Sequence, residues 1–65
     1  MLKYKYQVTG ITSDGESFRG TCVACDIISA IEFFKQFKLT VYTVPNRELI
    51  SDDEDLGVKD IVISF

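Results

Sequence analysis

Leu2, Tyr4, Tyr6 and Val8 alternate with Lys3, Lys5, Gln7 and Thr9 at the head of the sequence. A strict period of two, with aromatic and branched side chains on one side and polar ones on the other, reads as a β-strand buried on one face. It excludes an all-helical fold and demands a second element to cover the apolar side. Gly10 marks a bulge or a strand end. Asp14-Gly15 then predicts a reversal, because glycine accepts the positive φ of a tight turn. Residues 16–24 alternate again, with Phe18, Gly20, Cys22 and Ala24 on the predicted core side and Ser17, Arg19, Thr21 and Val23 on the other. The two segments form a predicted β-hairpin.

Asp26 is a suitable N-cap for a helix, and its charge suits the positive end of the helix dipole. The helix is predicted to run to Phe37 or Lys38. On a helical wheel Ile27, Ala30, Ile31, Phe34 and Phe37 fall within roughly 120°, a buried stripe. Ile28 and Phe33 flank it. Leu39–Val44 (LTVYTV) reads as a third strand that Pro45-Asn46 stops. Residues 46–57 read as an acidic loop, in which Ser51-Asp52-Asp53-Glu54 has the spacing of a capping box. Residues 58–65 (VKDIVISF) read as the last strand, with Ile61, Ile63 and Phe65 on one face. The predicted fold class is α+β, ββαββ, with one helix packed on one face of a small, mainly antiparallel sheet. At 65 residues the chain reads as a single small domain.

A domain of this length buries only about 60% of its unfolded surface and is expected to hold about 3–5 kcal/mol of net stability. At 46% hydrophobic and a net charge of −3 it is too apolar and too weakly charged to be disordered by composition. It has no apolar run of membrane-spanning length. The opening MLKYKYQV contains no apolar core of a secretory leader, so a cytoplasmic, reduced protein is expected. The charge is segregated: residues 1–47 sum to +2, and residues 48–65 sum to −5.

The aromatic-x-aromatic strand Tyr4-Lys5-Tyr6, then Asp14-Gly15, Arg19-Gly20-Thr21 and Ala24, then a helix with Ala30 and a strand opening Leu39-Thr40-Val41, form a recognisable spacing. It resembles the N-terminal segment of the inner-membrane platform proteins of type II secretion and type IV pilus systems. The resemblance covers about two-thirds of the chain, by the residues just named. Those proteins continue into helical membrane bundles, where this sequence has an acidic segment and one more strand. The resemblance implies a small scaffolding or docking module and carries over no catalytic residue.

The sequence has no histidine, which removes the commonest general base and metal ligand. Cys22-Val23-Ala24-Cys25 is a C-x-x-C ahead of a helix, a position that can lower a thiol pKa. Its place on the inward face of a hairpin strand favours buried packing instead. Two cysteines are also too few for a zinc site within one chain. Asp52–Gly57 invites a calcium reading, but an EF-hand frame from Asp52 puts Leu56 at a ligand position and Ile63 where the bidentate glutamate belongs. No metal and no cofactor is called for, and no enzymatic activity is expected.

The expected function is a small intracellular module that binds another protein as an adaptor, docking or inhibitor-like element. Glu48, Asp52, Asp53, Glu54 and Asp55 are the candidate contacts for a partner with a basic surface. Ile28 and Phe33, at the margins of the helix stripe, are the candidate apolar contacts, for a partner or for a homodimer. The alternative is single-stranded nucleic acid bound on the open sheet face by Lys3, Lys5, Arg19 and Tyr42. The acidic balance opposes it. In composition alone, small acidic domains of this kind are common among phage and mobile-element accessory proteins.

Overall fold

The computed structural model describes residues 2–51 and 53–64. Its elements are β1 (Lys3–Ile11), β2 (Ser17–Ala24), α1 (Ile27–Lys35), β3 (Thr40–Ile50) and β4 (Gly57–Ser64). The strands form one sheet in the order β3-β1-β2-β4, and all neighbouring pairs are antiparallel. One helix on one small sheet makes this an α+β arrangement, as the alternation predicts. β2 and β3 run parallel with β1 between them, and α1 connects them across one face as a split β-α-β unit.

The hairpin pairs Tyr4 with Ala24 through to Ile11 with Ser17. Its turn is held at Thr12, whose hydroxyl accepts from the Glu16 and Asp14 N–H groups at 3.1 and 3.3 Å. Gly15 sits there at φ 85°, the conformation that the Asp14-Gly15 signal predicts. The alternation then sorts the side chains. Tyr6, Val8, Phe18, Cys22 and Ala24 are buried under α1 with Ala30, Phe34 and Leu39. The Phe18 and Phe34 rings meet at 5.8 Å with a 39° tilt.

Asp26 caps α1, accepting the Ser29 N–H at 2.7 Å. The helix ends at Lys35, earlier than predicted. The chain leaves through Lys38 at φ 61°, and the Leu39 N–H reaches back to the Phe34 carbonyl at 3.3 Å. The predicted stripe is corrected. Ala30 and Phe34 are buried, whereas Ile27, Ile31 and Phe37 are exposed and Phe33 packs against the core. A single nine-residue helix lying on a sheet touches it along a narrow line. The small Ala30 and the ring of Phe34 fill that line, with Phe33 beside it, and the flank carrying Ile27 and Ile31 is left facing water.

The third strand is also corrected. Pro45-Asn46 does not stop it: β3 continues to Ile50, and the predicted loop 46–57 shrinks to 51–56. β3 is an edge strand, and Pro45 lies where its register slips, between Gln7–Asn46 and Thr9–Thr43. A bulge on an edge requires no ladder N–H from the proline. A second slip between Thr9 and Gly10 follows. There the bare Cα of Gly10 admits β3: a Cβ would stand 1.8 Å from the Thr40 carbonyl oxygen.

β3 ends beside Lys3 and β4 starts beside Val23, at opposite edges of the sheet. The loop 51–56 therefore crosses the whole sheet end, three inter-strand gaps or about 14 Å. Val23, predicted on the solvent side, is buried at this end, between Lys5 and Gly57. Lys3 holds the loop here, its Nζ donating to the Glu54 carbonyl at 2.7 Å.

Candidate functional site

The chemistry of single residues is sparse. Cys22 and Cys25 are free thiols, Cys22 buried and Cys25 half-buried. Burial pushes the Cys22 thiol from 9.0 up to about 11. A thiol kept protonated is a poor nucleophile and a poor metal ligand. Among the described residues no group of three or more His, Cys, Asp and Glu could hold a metal ion. No helix among them is long and apolar enough to cross a membrane.

The candidate acidic contacts divide between two elements. Glu48 is a β3 residue paired across the sheet with Lys5. Asp53, Glu54 and Asp55 are exposed in the loop, and Asp52 lies outside the described residues. Ser51 donates its hydroxyl to the Asp53 carboxylate, which is the main cause holding Asp53 below the usual carboxylate value. The predicted capping box includes Asp52, so it lies partly outside the described residues; within it the Glu54 N–H meets the Ser51 carbonyl at 3.5 Å and Asp53 stands in a turn.

On the open face, Lys3, Lys5 and Arg19 alternate out of the hairpin as predicted. Acids intervene among them. Lys5 faces Glu48, and Arg19 shares a shallow hollow of about 320 Å³ with Asp60, Gln7 and Thr21. Tyr42 is the extra residue between the Thr9–Thr43 and Gly10–Val41 pairs, exposed on the edge strand. It is one element away from the hairpin lysines. The four do not form a continuous basic surface.

The helix side is different. Ile27 is 46% exposed, Ile28 71% and Ile31 36%. Ile27 opens onto a hollow of about 530 Å³ shared with Tyr4, Tyr6, Val44 and Arg47. The Arg47 guanidinium lies 4.9 Å above the centre of the Tyr4 ring, and Tyr4 meets Tyr6 at 5.9 Å. The pairing of Leu49 with Tyr4 continues the apolar row on β3, where Leu49 is exposed. Ile28 is the most exposed large hydrophobic side chain of the helix, and Phe33 is half-buried on the opposite flank. Sequence reading missed Tyr4 and Arg47 because it ended the strand at Pro45.

No protein-family model, no curated protein and no solved structure matches this chain.

Proposed function

We propose that the chain is a small non-enzymatic module that binds another protein through the helix flank of Ile27, Ile28 and Ile31 and the hollow beside it. One observation carries this reading: three isoleucines of a nine-residue helix stand exposed together, next to a tyrosine–arginine pair. Apolar side chains grouped in this way mark interaction surfaces, and aromatic residues and arginine supply most of the energy at such contacts. The loop with Asp53, Glu54 and Asp55 lies at the same end of the sheet as the helix start, since β2 ends and β4 begins there. That favours a partner whose apolar contact is rimmed by basic groups. A docking role also agrees with what the likeness to platform proteins implies. Nucleic-acid binding on the open face gains nothing from Glu48 and Asp60 among its lysines and arginine.

The test is crosslinking from position 28. A photoreactive side chain at Ile28 should trap one host protein, and Ile31→Lys should abolish the product while the far-ultraviolet spectrum stays that of a folded chain. A product unaffected by Ile31→Lys counts against the helix flank. Salt-sensitive retention on single-stranded nucleic acid, lost in Arg19→Glu, would favour the open face instead.

A further inference from the structure

The two edges of the sheet are built differently. β3 carries Pro45, two register slips, Arg47 and Glu48, all devices that stop another strand from adding. β4 has one slip, at Lys59, between the Thr21–Asp60 and Cys22–Val58 pairs. Beyond it Ile61, Val62, Ile63 and Ser64 pair in unbroken register with Gly20, Arg19, Phe18 and Ser17. This stretch has no charge, proline or bulge, and Val62 and Ile63 are 51% and 43% exposed. Among the described residues its outer backbone groups face no further strand of the sheet.

We propose that β4 pairs with β4 of a second copy, antiparallel and centred on Val62, to give a two-fold dimer with one continuous sheet. The edge is its own complement in this register. Val62 meets Val62, Ile61 meets Ile63 on both sides, and the Asp60 carboxylate faces the Ser64 hydroxyl, which can donate to it. Centring on Asp60 would oppose two carboxylates. Centring on Ile61 would set Lys59 against Ile63 and Asp60 against Val62. The two-fold axis stands perpendicular to the sheet, so both helices lie on the same face. Ile27 lies beside Val44 and Arg47 of β3, so Phe33, on the opposite flank of each helix, is turned toward the seam. Electrostatics agree with a second copy. The acidic loop lies six residues from Val62, about 20 Å, so the two loops stand about 40 Å apart at opposite ends of the seam, well beyond a screening length of about 8 Å. This inference is independent of the helix-flank reading, because it uses the other side of the molecule.

The experiment is sedimentation of the intact chain between about 10 μM and about 1 mM, a range that spans weak association. Twice the 7.4 kDa chain mass is expected at the upper end. Val62→Lys, at a half-exposed position outside the core, should abolish that species, and Ile28→Lys should leave it intact. Val62→Cys in a Cys25→Ser background should give a disulfide-linked dimer on mild oxidation, and Tyr42→Cys on the other edge should not. The crosslink decides the matter even if the lysine variant fails to fold. A monomer at every concentration, a dimer that survives Val62→Lys, equal crosslinking from positions 42 and 62, or species growing beyond the dimer would each overturn the proposal.

Discussion

Phe34 of α1 sits in a slot that Gly20 of β2 leaves open: a Cβ on Gly20 would stand 2.5 Å from the ring Cε1 and 2.9 Å from Cζ. The same atom would lie 3.2 Å from the Asp60 carbonyl of β4, so the strand has no room to retreat sideways. The helix thus docks through one ring over one bare backbone position. Gly20→Ala should cost about 1–3 kcal/mol by overpacking, despite the better strand propensity of alanine. Phe34→Ala should cost about 3–5 kcal/mol, close to the whole stability expected for so small a domain. The two changes share one contact, so in urea denaturation the double variant should lose less than the two effects added. Strict additivity would show that the ring and the glycine do not constrain each other.

Cys22 gives a prediction with a definite sign. Its folded thiol titrates near 11, above the 9.0 of an unconstrained group. The folded state keeps a proton that the unfolded state gives up, so this stabilisation is complete below pH 9.0 and is lost as pH rises through about 11. Denaturation midpoints of the wild type and Cys22→Ala should converge across that interval, where the shared lysine and tyrosine titrations cancel between the two proteins. Below it, alkylation of the native protein should label Cys25 much faster than Cys22. Equal labelling rates would contradict the burial.

Asp26 titrates with the opposite sign. The Ser29 N–H is the main cause holding its carboxyl below 3.8. Its capping contribution is present above pH 3.8 and is lost as pH falls through the lower folded value. Asp26→Asn keeps an acceptor for the same N–H and should retain most of the helix signal, and Asp26→Ala should retain less. The wild type and Asp26→Asn should then differ in pH dependence only in the acid range. A difference of unchanged size from pH 7 down to pH 2 would mean that the carboxylate is not the cap.

What the sequence disclosed depended on range. The hairpin was legible because period-two patterning and a turn are local, and its core face followed from Tyr6 to Ala24, with Val23 of the other face buried as well. The strand order was not legible, since nothing near Gly57 signals that β4 joins β2 at the far edge. Pro45 misled for a related reason: a proline ends a central strand, but Asn46–Ile50 shows that an edge strand can bulge around one and continue. Ile27 and Ile31 misled because periodicity gives the direction of an apolar stripe but not the width that a small sheet can cover. The candidate site inherited both errors. It appeared only where the over-wide stripe and the unexpected end of β3 come together, at Ile27, Tyr4 and Arg47.

The acidic loop supplies the last prediction. Asp53, Glu54 and Asp55 are exposed, and Lys3 donates to the backbone carbonyl of Glu54, a contact that does not depend on the loop's carboxylates. Neutralising the side chains with Asp53→Asn, Glu54→Gln and Asp55→Asn leaves that carbonyl in place. Folding stability should therefore move by no more than about 0.5 kcal/mol per exposed site. Charge steering acts elsewhere, on the encounter with a basic partner, and screening over about 8 Å at physiological salt weakens it. For the protein trapped at position 28, the association rate of the wild type should fall as salt rises. The triple variant should associate slowly at low salt, with little further dependence on salt. Dissociation should change far less, because the loop guides the approach and the helix flank holds the contact. Equal association rates for the wild type and the triple variant at low salt would reduce the loop to a solubilising surface and leave Ile27, Ile28 and Ile31 to account for binding alone.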